Sequence, residues 1–311
     1  MDAKRTFWGV LLVSASALAL QFLQTRIFSF VYWQHVVYYV ITISMLGFSA
    51  AGAIFYLSKR LSELENQRFF ATVLSGFTVS TGLSLFIVTI LSHIARSEFS
   101  ILNLPLMAIA YLVSALPSVC FGLAILGAFS RFPERVGRIY FANLVGSALG
   151  CIAFVLFLVP LGGPLFAAAI VVLPAAVFTF SLARGTQPLP RAAAPSLLPV
   201  LLCLSLYDLT TDPSKGYASW YKPIRHGATY WDPLARLDII GNPNTGDTAI
   251  VIDGDAQSPL LDPSTTELDN AHREVLYNVS AKPSSRALII GIGGGPDLKA
   301  AQKYAAEDIT A

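Results

Sequence analysis

Apolar residues run in long blocks over the first two thirds of the chain and in short runs over the last third. A helix needs about 20 mostly apolar residues to cross a bilayer. Six stretches meet that length: 7–30, 36–57, 69–91, 105–130, 139–160 and 163–183. A seventh, 192–207, is shorter and as a helix rises only about 24 Å. Pro195 and Pro199 weaken it further. It is read as a partial or re-entrant segment, with a full span as the alternative. The pattern therefore predicts a polytopic α-helical membrane domain of 6–7 helices over residues 1–207.

From about Asp208 the pattern changes. Leu237–Gly241 and Thr248–Asp253 are β-like runs, and the intervening "NPNTGD" supplies the Asn, Pro and Gly that turns require. They predict a β-hairpin within a linker and small β-region at 208–280. A polar stretch at about 266–279 has helical spacing, with Leu268, Val275 and Leu276 on one face. Residues 281–311 then read as an apolar strand, Ala287–Ile290, a glycine cluster and a helix start. An apolar run without alternation suits a parallel strand covered on both faces.

Charge sharpens the division. Only 13% of residues are charged and the mean hydropathy is +0.61, against about 25% charged in soluble domains. Residues 1–206 carry 12 Lys and Arg against 5 Asp and Glu, a net of +7; residues 207–311 carry 9 against 14, a net of −5. No basic stripe suggests a nucleic-acid partner. Lys4, Arg5, Lys59, Arg60, Arg68, Arg131, Arg135, Arg138, Arg184 and Arg191 fall on alternate loops, with little but Arg96 opposite. That asymmetry predicts a cytoplasmic N-terminus. The polar region is then cytoplasmic if 192–207 does not cross, and extracytoplasmic if it does. Cys120, Cys151 and Cys203 lie in apolar stretches and read as small core residues, not a disulfide or metal set.

Three features are candidates for function. In the first span Gln21, Gln24 and Thr25 share one face, with Arg26 beside them. Such groups either hydrogen-bond between helices, with Arg26 reaching the outer interface, or mark a site at membrane depth. Gly47, Ala51 and Gly52 in the second span, and Gly146 with Gly150 in the fifth, allow close helix approach. Third, Gly291, Gly293, Gly294 and Gly295 follow the apolar strand directly, with Asp297 early in the next helix. Glycines permit positive φ and close approach of a ligand to the backbone. The turn is not a P-loop, because no Gly-Lys-Ser/Thr closes it. A dinucleotide-type cradle and a tight turn without a ligand both fit.

Several segments in order add a family resemblance. "LQTRIFSFVYWQHVVYYVITISMLGFSAAG", "SRFPERVGRIYFANLVGSALGC", "YWDPLARLDII", "IVIDGDAQ" and "ALIIGIGGGPDL" together resemble the spermidine/spermine synthase-like family of S-adenosylmethionine-dependent transferases, in its membrane-fused bacterial form. The resemblance implies a Rossmann-like α/β methyltransferase fold, of which this chain holds the first strand, loop and helix. It implies S-adenosylmethionine or its decarboxylated form as co-substrate. Gly291, Gly293, Gly294 and Gly295 would lie against the amino-acid and ribose portions, Gln257 at the nucleoside, and Asp253 with Gly254 at the preceding turn. The bacterial inner membrane is the implied location, with the lipid bilayer and an unidentified small molecule as partners.

The chain departs from the family at two places. Aminopropyl-transferring synthases read Gly-Gly-Gly-Asp-Gly-Gly at the loop, and the acidic position falls here on Gly294. Their Asp-Glu-x-x-Tyr-His-Glu stretch is not recognisable in "SPLLDPSTTELDNAHREVLYNV". A polycationic amine needs placed carboxylates, so polyamine synthesis is not the expected chemistry. The family's acidic residue after the second strand, and its catalytic loop, would lie beyond Ala311. The chain is therefore expected to be an inactive N-terminal portion of a membrane-bound transferase moving a methyl or aminopropyl group. The alternative is a transport or sensing protein with a non-catalytic nucleotide-binding domain.

Overall fold

The computed structural model describes residues 3–31, 37–94, 104–158, 225–260, 286–303 and 308–310, apart from single positions 233, 245, 255 and 292. It forms two compact units, Met1–Asp212 with Trp231–Leu234, and Pro213–Tyr230 with Ala235–Ala311. The predicted segments 163–183, 192–207 and 266–279 lie outside the described residues.

The described part of the first unit is a helical bundle. Its helices are α1 Ala3–Val31, α2 Val37–Leu57, the single turn α3 Lys59–Ser62, α4 Asn66–Ile94, α5 Leu104–Arg131 and α6 Val136–Leu158, with a 3₁₀ turn at Pro133–Arg135 before α6. Five helices among the described residues are long and apolar enough to cross a membrane, matching the first five predicted stretches. α1 packs chiefly on α6, and α5 on α4 and α2. The core is aliphatic and aromatic, with Leu23, Phe28, Phe69, Phe77 and Phe154 fully buried.

Two sets of contacts define the bundle's ends. At one end the Phe55 and Phe69 rings meet edge to face at 6.1 Å, and the Arg131 guanidinium lies 3.8 Å above the Phe69 ring. Arg131 also donates to the carbonyls of Ser62 at 3.1 Å and Leu64 at 3.2 Å. These contacts join the end of α2, the start of α4 and the end of α5. The sequence positions of Lys59, Arg60, Arg68 and Arg131 thus converge on one end, as the alternating loops predict. At the other end Phe28 stacks on Tyr111 at 5.4 Å and Tyr39 meets Tyr111 at 5.8 Å.

The expected role of the small residues as packing surfaces is visible on α6. A Cβ at Gly146 would overlap the Leu11 carbonyl, and one at Gly150 the Ala15 carbonyl. The two glycines let α1 and α6 touch backbone to backbone. Gly47 does the same for α2 against Ser118 of α5, but Gly52 faces open space.

The second unit contains a four-stranded sheet in the order β1-β2-β3-β4, formed by β1 Arg225–Trp231, β2 Arg236–Gly241, β3 Thr248–Ile252 and β4 Ala256–Leu260. The predicted hairpin is β2–β3, antiparallel from Leu237 opposite Ile252 to Gly241 opposite Thr248. Its turn closes through Asn242 N–H to Asp247 O at 2.8 Å, while the Asn242 side chain accepts from Asn244 N–H at 2.9 Å. The buried positions alternate along the strands, with Ile240, Ala249 and Val251 forming a small apolar cluster. β4 lies at the sheet edge, where Pro259 costs no ladder donor.

After the sheet come β5 Arg286–Leu288, α7 Pro296–Lys303 and β6 Asp308–Thr310. β5 and β6 pair in parallel, Arg286 with Asp308 and Leu288 with Thr310. Among the described residues the expected cover on both faces of β5 is not present: Leu288 is 72% and Ile290 89% exposed. A sheet of two strands with one short helix cannot enclose both apolar faces.

Candidate cofactor turn

The glycine cluster links β5 to α7. Gly291, Gly293 and Gly295 take φ of 77°, 55° and 94°, conformations that cost an L-residue about 1–2 kcal/mol. Pro296 opens α7, its fixed φ suited to the first helical position, and Asp297 complements the positive helix end.

The four glycines divide by what surrounds them. A Cβ at Gly293 would overlap the Ser258 hydroxyl, and one at Gly294 the Pro259 carbonyl. Gly294 N–H donates to Ser258 Oγ at 2.8 Å. These two glycines bring the turn against edge strand β4, and one backbone donor is satisfied there. Among the described residues no atom lies within 4 Å of a would-be Cβ at Gly291 or Gly295. Those two positions fit the requirement of a cofactor cradle for open, positive-φ glycine.

Asp253 and Gln257 stand apart from this turn. Asp253 is buried with φ 50°, and its carboxylate accepts from Arg236 N–H at 2.8 Å. Its own N–H donates to Arg236 O at 2.8 Å. The residue clips the end of β2 to the β3–β4 turn, where Gly254 also has positive φ, at 70°. Gln257 is exposed on β4 opposite Val251. Successive strand residues face opposite ways, so Gln257 points away from the face that Ser258 presents to Gly294.

Two features escaped the sequence reading. Ser258 holds the glycine turn, yet a lone serine carries no motif. Arg236 and Asp238 are fully buried and ion-paired at 2.9 Å, with Thr229 donating to the same carboxylate oxygen at 2.6 Å. Their signal was the two-residue spacing in "ARLDII", which puts both charges on the face that also holds Ile240.

In the bundle, Gln24 Nε2 donates to Ser84 Oγ at 3.2 Å, and Ser84 Oγ donates to Ser114 Oγ at 3.1 Å. This buried chain joins α1, α4 and α5. Thr25 instead bonds within its helix, to Gln21 O at 2.8 Å. Arg26 is buried and donates to the Leu234 carbonyl at 2.6 Å. The polar face of the first span thus makes inter-helix hydrogen bonds through Gln24.

Comparison of the chain with protein-family models, with curated proteins and with solved structures finds no match.

Proposed function

We propose that this chain carries the membrane-embedded bundle and the cofactor turn of an S-adenosylmethionine-dependent transferase of the spermidine synthase-like group. The reaction is transfer of a methyl or aminopropyl group. The supporting observation is the parallel order β5, glycine turn, α7, β6, with Gly291 and Gly295 at positive φ and open. In this reading those two glycines admit the amino-acid and ribose portions of the cofactor to the backbone. The bound cofactor supplies an electrophilic carbon on its sulfonium. The bilayer tether restricts the acceptor to a membrane-associated small molecule.

The turn carries Gly294 where a carboxylate would hold a cationic amine. A lost charge-assisted bond costs about 1.5–3 kcal/mol, so turnover of putrescine with decarboxylated adenosylmethionine is expected to be weak. We place the protein in the bacterial inner membrane, N-terminus and polar region cytoplasmic. A reporter fusion at Ser214 with high phosphatase activity would reverse the second assignment.

The functional test is calorimetric titration with adenosylmethionine of two forms, the 311 residues and a form extended along the downstream reading frame. Micromolar binding by the extended form alone supports the proposal. Absence of binding in both removes it. A second reading, transport or sensing, draws on the buried hydroxyls of Ser16, Ser44 and Thr81, which have no hydrogen-bond partner among the described residues. A small molecule that stabilised the bundle and left the β unit unchanged would favour it.

A further inference from the structure

A cavity among the described residues lies in the bundle, at the start of α6. Its volume is about 230 Å³, and its walls are Phe7 of α1, Phe132 and Arg135 at the 3₁₀ turn, and Arg138 and Ile139 of α6. That is below the ~300–1,000 Å³ of pockets for drug-sized ligands, too small for a nucleoside cofactor and suited to a headgroup.

The chemistry of the walls is specific. Arg135 and Arg138 are three residues apart across the start of α6, so their side chains share one side. Both are exposed at their tips and both line the cavity. Glu134 is exposed in the same turn but does not line it. The positive end of the 23-residue helix α6 opens at the same place. Two cations and a helix start converge with no carboxylate among the described lining residues, while Phe7, Phe132 and Ile139 supply an apolar side.

The level in the membrane identifies the source of the anion. The cavity joins the starts of two candidate spans, Arg5–Ser29 and Pro133–Leu156. Next to its lining residues in sequence, Trp8, Tyr140 and Phe141 are 51%, 52% and 59% exposed, and Trp and Tyr are enriched at a membrane interface. Basic pockets between spans at the cytoplasmic side suit anionic headgroups. We propose that this cavity binds one anionic phospholipid. Its phosphate lies between Arg135 and Arg138, and its first acyl carbons run along Phe7, Phe132 and Ile139.

The test uses the whole chain, purified in a neutral detergent and titrated with phosphatidylglycerol or phosphatidylcholine under native mass spectrometry. One phosphatidylglycerol should be retained in preference to phosphatidylcholine. Arg135→Gln with Arg138→Gln should weaken retention roughly twenty-five-fold, since each surface cation contributes about fivefold. Arg135→Lys with Arg138→Lys should retain most of the binding, which separates charge loss from misfolding. Arg60→Gln, on the same basic end, should leave it unchanged. Equal binding of the two lipids, equal loss in Arg60→Gln, or loss with the paired lysines as large as with the paired glutamines would overturn the proposal. Displacement by equimolar inorganic phosphate would assign the site to a free anion and overturn it as well.

Discussion

The two units place polarity oppositely. In the bundle, apolar side chains face outward: Tyr38, Ile41, Met45 and Leu112 are 75%, 63%, 65% and 64% exposed. Its interior holds Gln24, Ser84, Ser114 and the Ser14–Asn143 bond between α1 and α6 at 2.8 Å. Among the described residues of the β unit the apolar cluster is Ile240, Ala249 and Val251, and beside it lies a fully buried ion pair. The bundle's outer surface matches lipid, so its helices need close contact and a few hydrogen bonds to associate. The described sheet buries few apolar side chains, so among the described residues its stability concentrates in few groups. A mutation should therefore damage the β unit more than the bundle, and each unit should fail separately.

Arg236→Ala gives the largest expected effect. It leaves Asp238 buried without its ionic partner, at about 3–5 kcal/mol. The small sheet should become protease-sensitive while the bundle keeps its helical circular dichroism. Replacing both, Arg236→Met with Asp238→Leu, should restore most of the resistance, because a well-packed apolar pair avoids the desolvation cost. If Arg236→Ala left the sheet resistant, the claim that its stability concentrates in this pair would be wrong.

The second effect belongs to the bundle. Gly146→Val drives a side chain into the Leu11 carbonyl of α1, and overpacking costs about 1–3 kcal/mol. The α1–α6 pair should separate at lower denaturing detergent than in the parent. Gly52→Val, facing open space, is the comparison that should shift little.

What was readable in the chain follows the same contrast. Spans declare themselves by length alone, so 7–30, 36–57, 69–91, 105–130 and 139–160 each coincide with a helix. The β2–β3 hairpin was readable from Asn242 and Gly246, whose turn chemistry is local. β1 and β4 were not. β1 contains Gly227, where a Cβ would come within 3.0 Å of the Ile239 carbonyl, and β4 contains Pro259. Both residues lower strand propensity but suit outer strands of a sheet, a property of tertiary neighbours. The glycine turn was readable as a turn, because positive φ selects glycine. Its attachment to Ser258 was not, because a contact 36 residues away leaves no local pattern.

Gly291→Ala sharpens the difference between the two kinds of glycine in that turn. Space is open there, so the cost is backbone alone, about 1–2 kcal/mol. Gly294→Ala keeps an ordinary φ but meets the Pro259 carbonyl, and should detach the turn from β4. Hydrogen exchange should show Gly291→Ala destabilising the turn with the Gly294 amide still protected. In Gly294→Ala that amide should exchange freely. Equal protection in both variants would mean that Ser258 does not anchor the turn.

The smallest expected effect tests the polar interior of the bundle. Gln24→Leu removes the donor to Ser84 but keeps side-chain volume close to that of glutamine. Ser84 and Ser114 still bond each other at 3.1 Å, so no new buried donor is stranded. Hydrogen bonds between membrane helices average about 0.6 kcal/mol, against several for the ion pair in the β unit. The variant should therefore unfold in detergent almost with the parent, while Arg236→Ala loses its sheet. A loss above about 1.7 kcal/mol, the upper end for such bonds, would show that Gln24 does more than join helices. That result would shift weight from the transferase reading toward a site within the bundle, because Gln24, Ser84 and Ser114 would then hold a geometry that packing alone does not require.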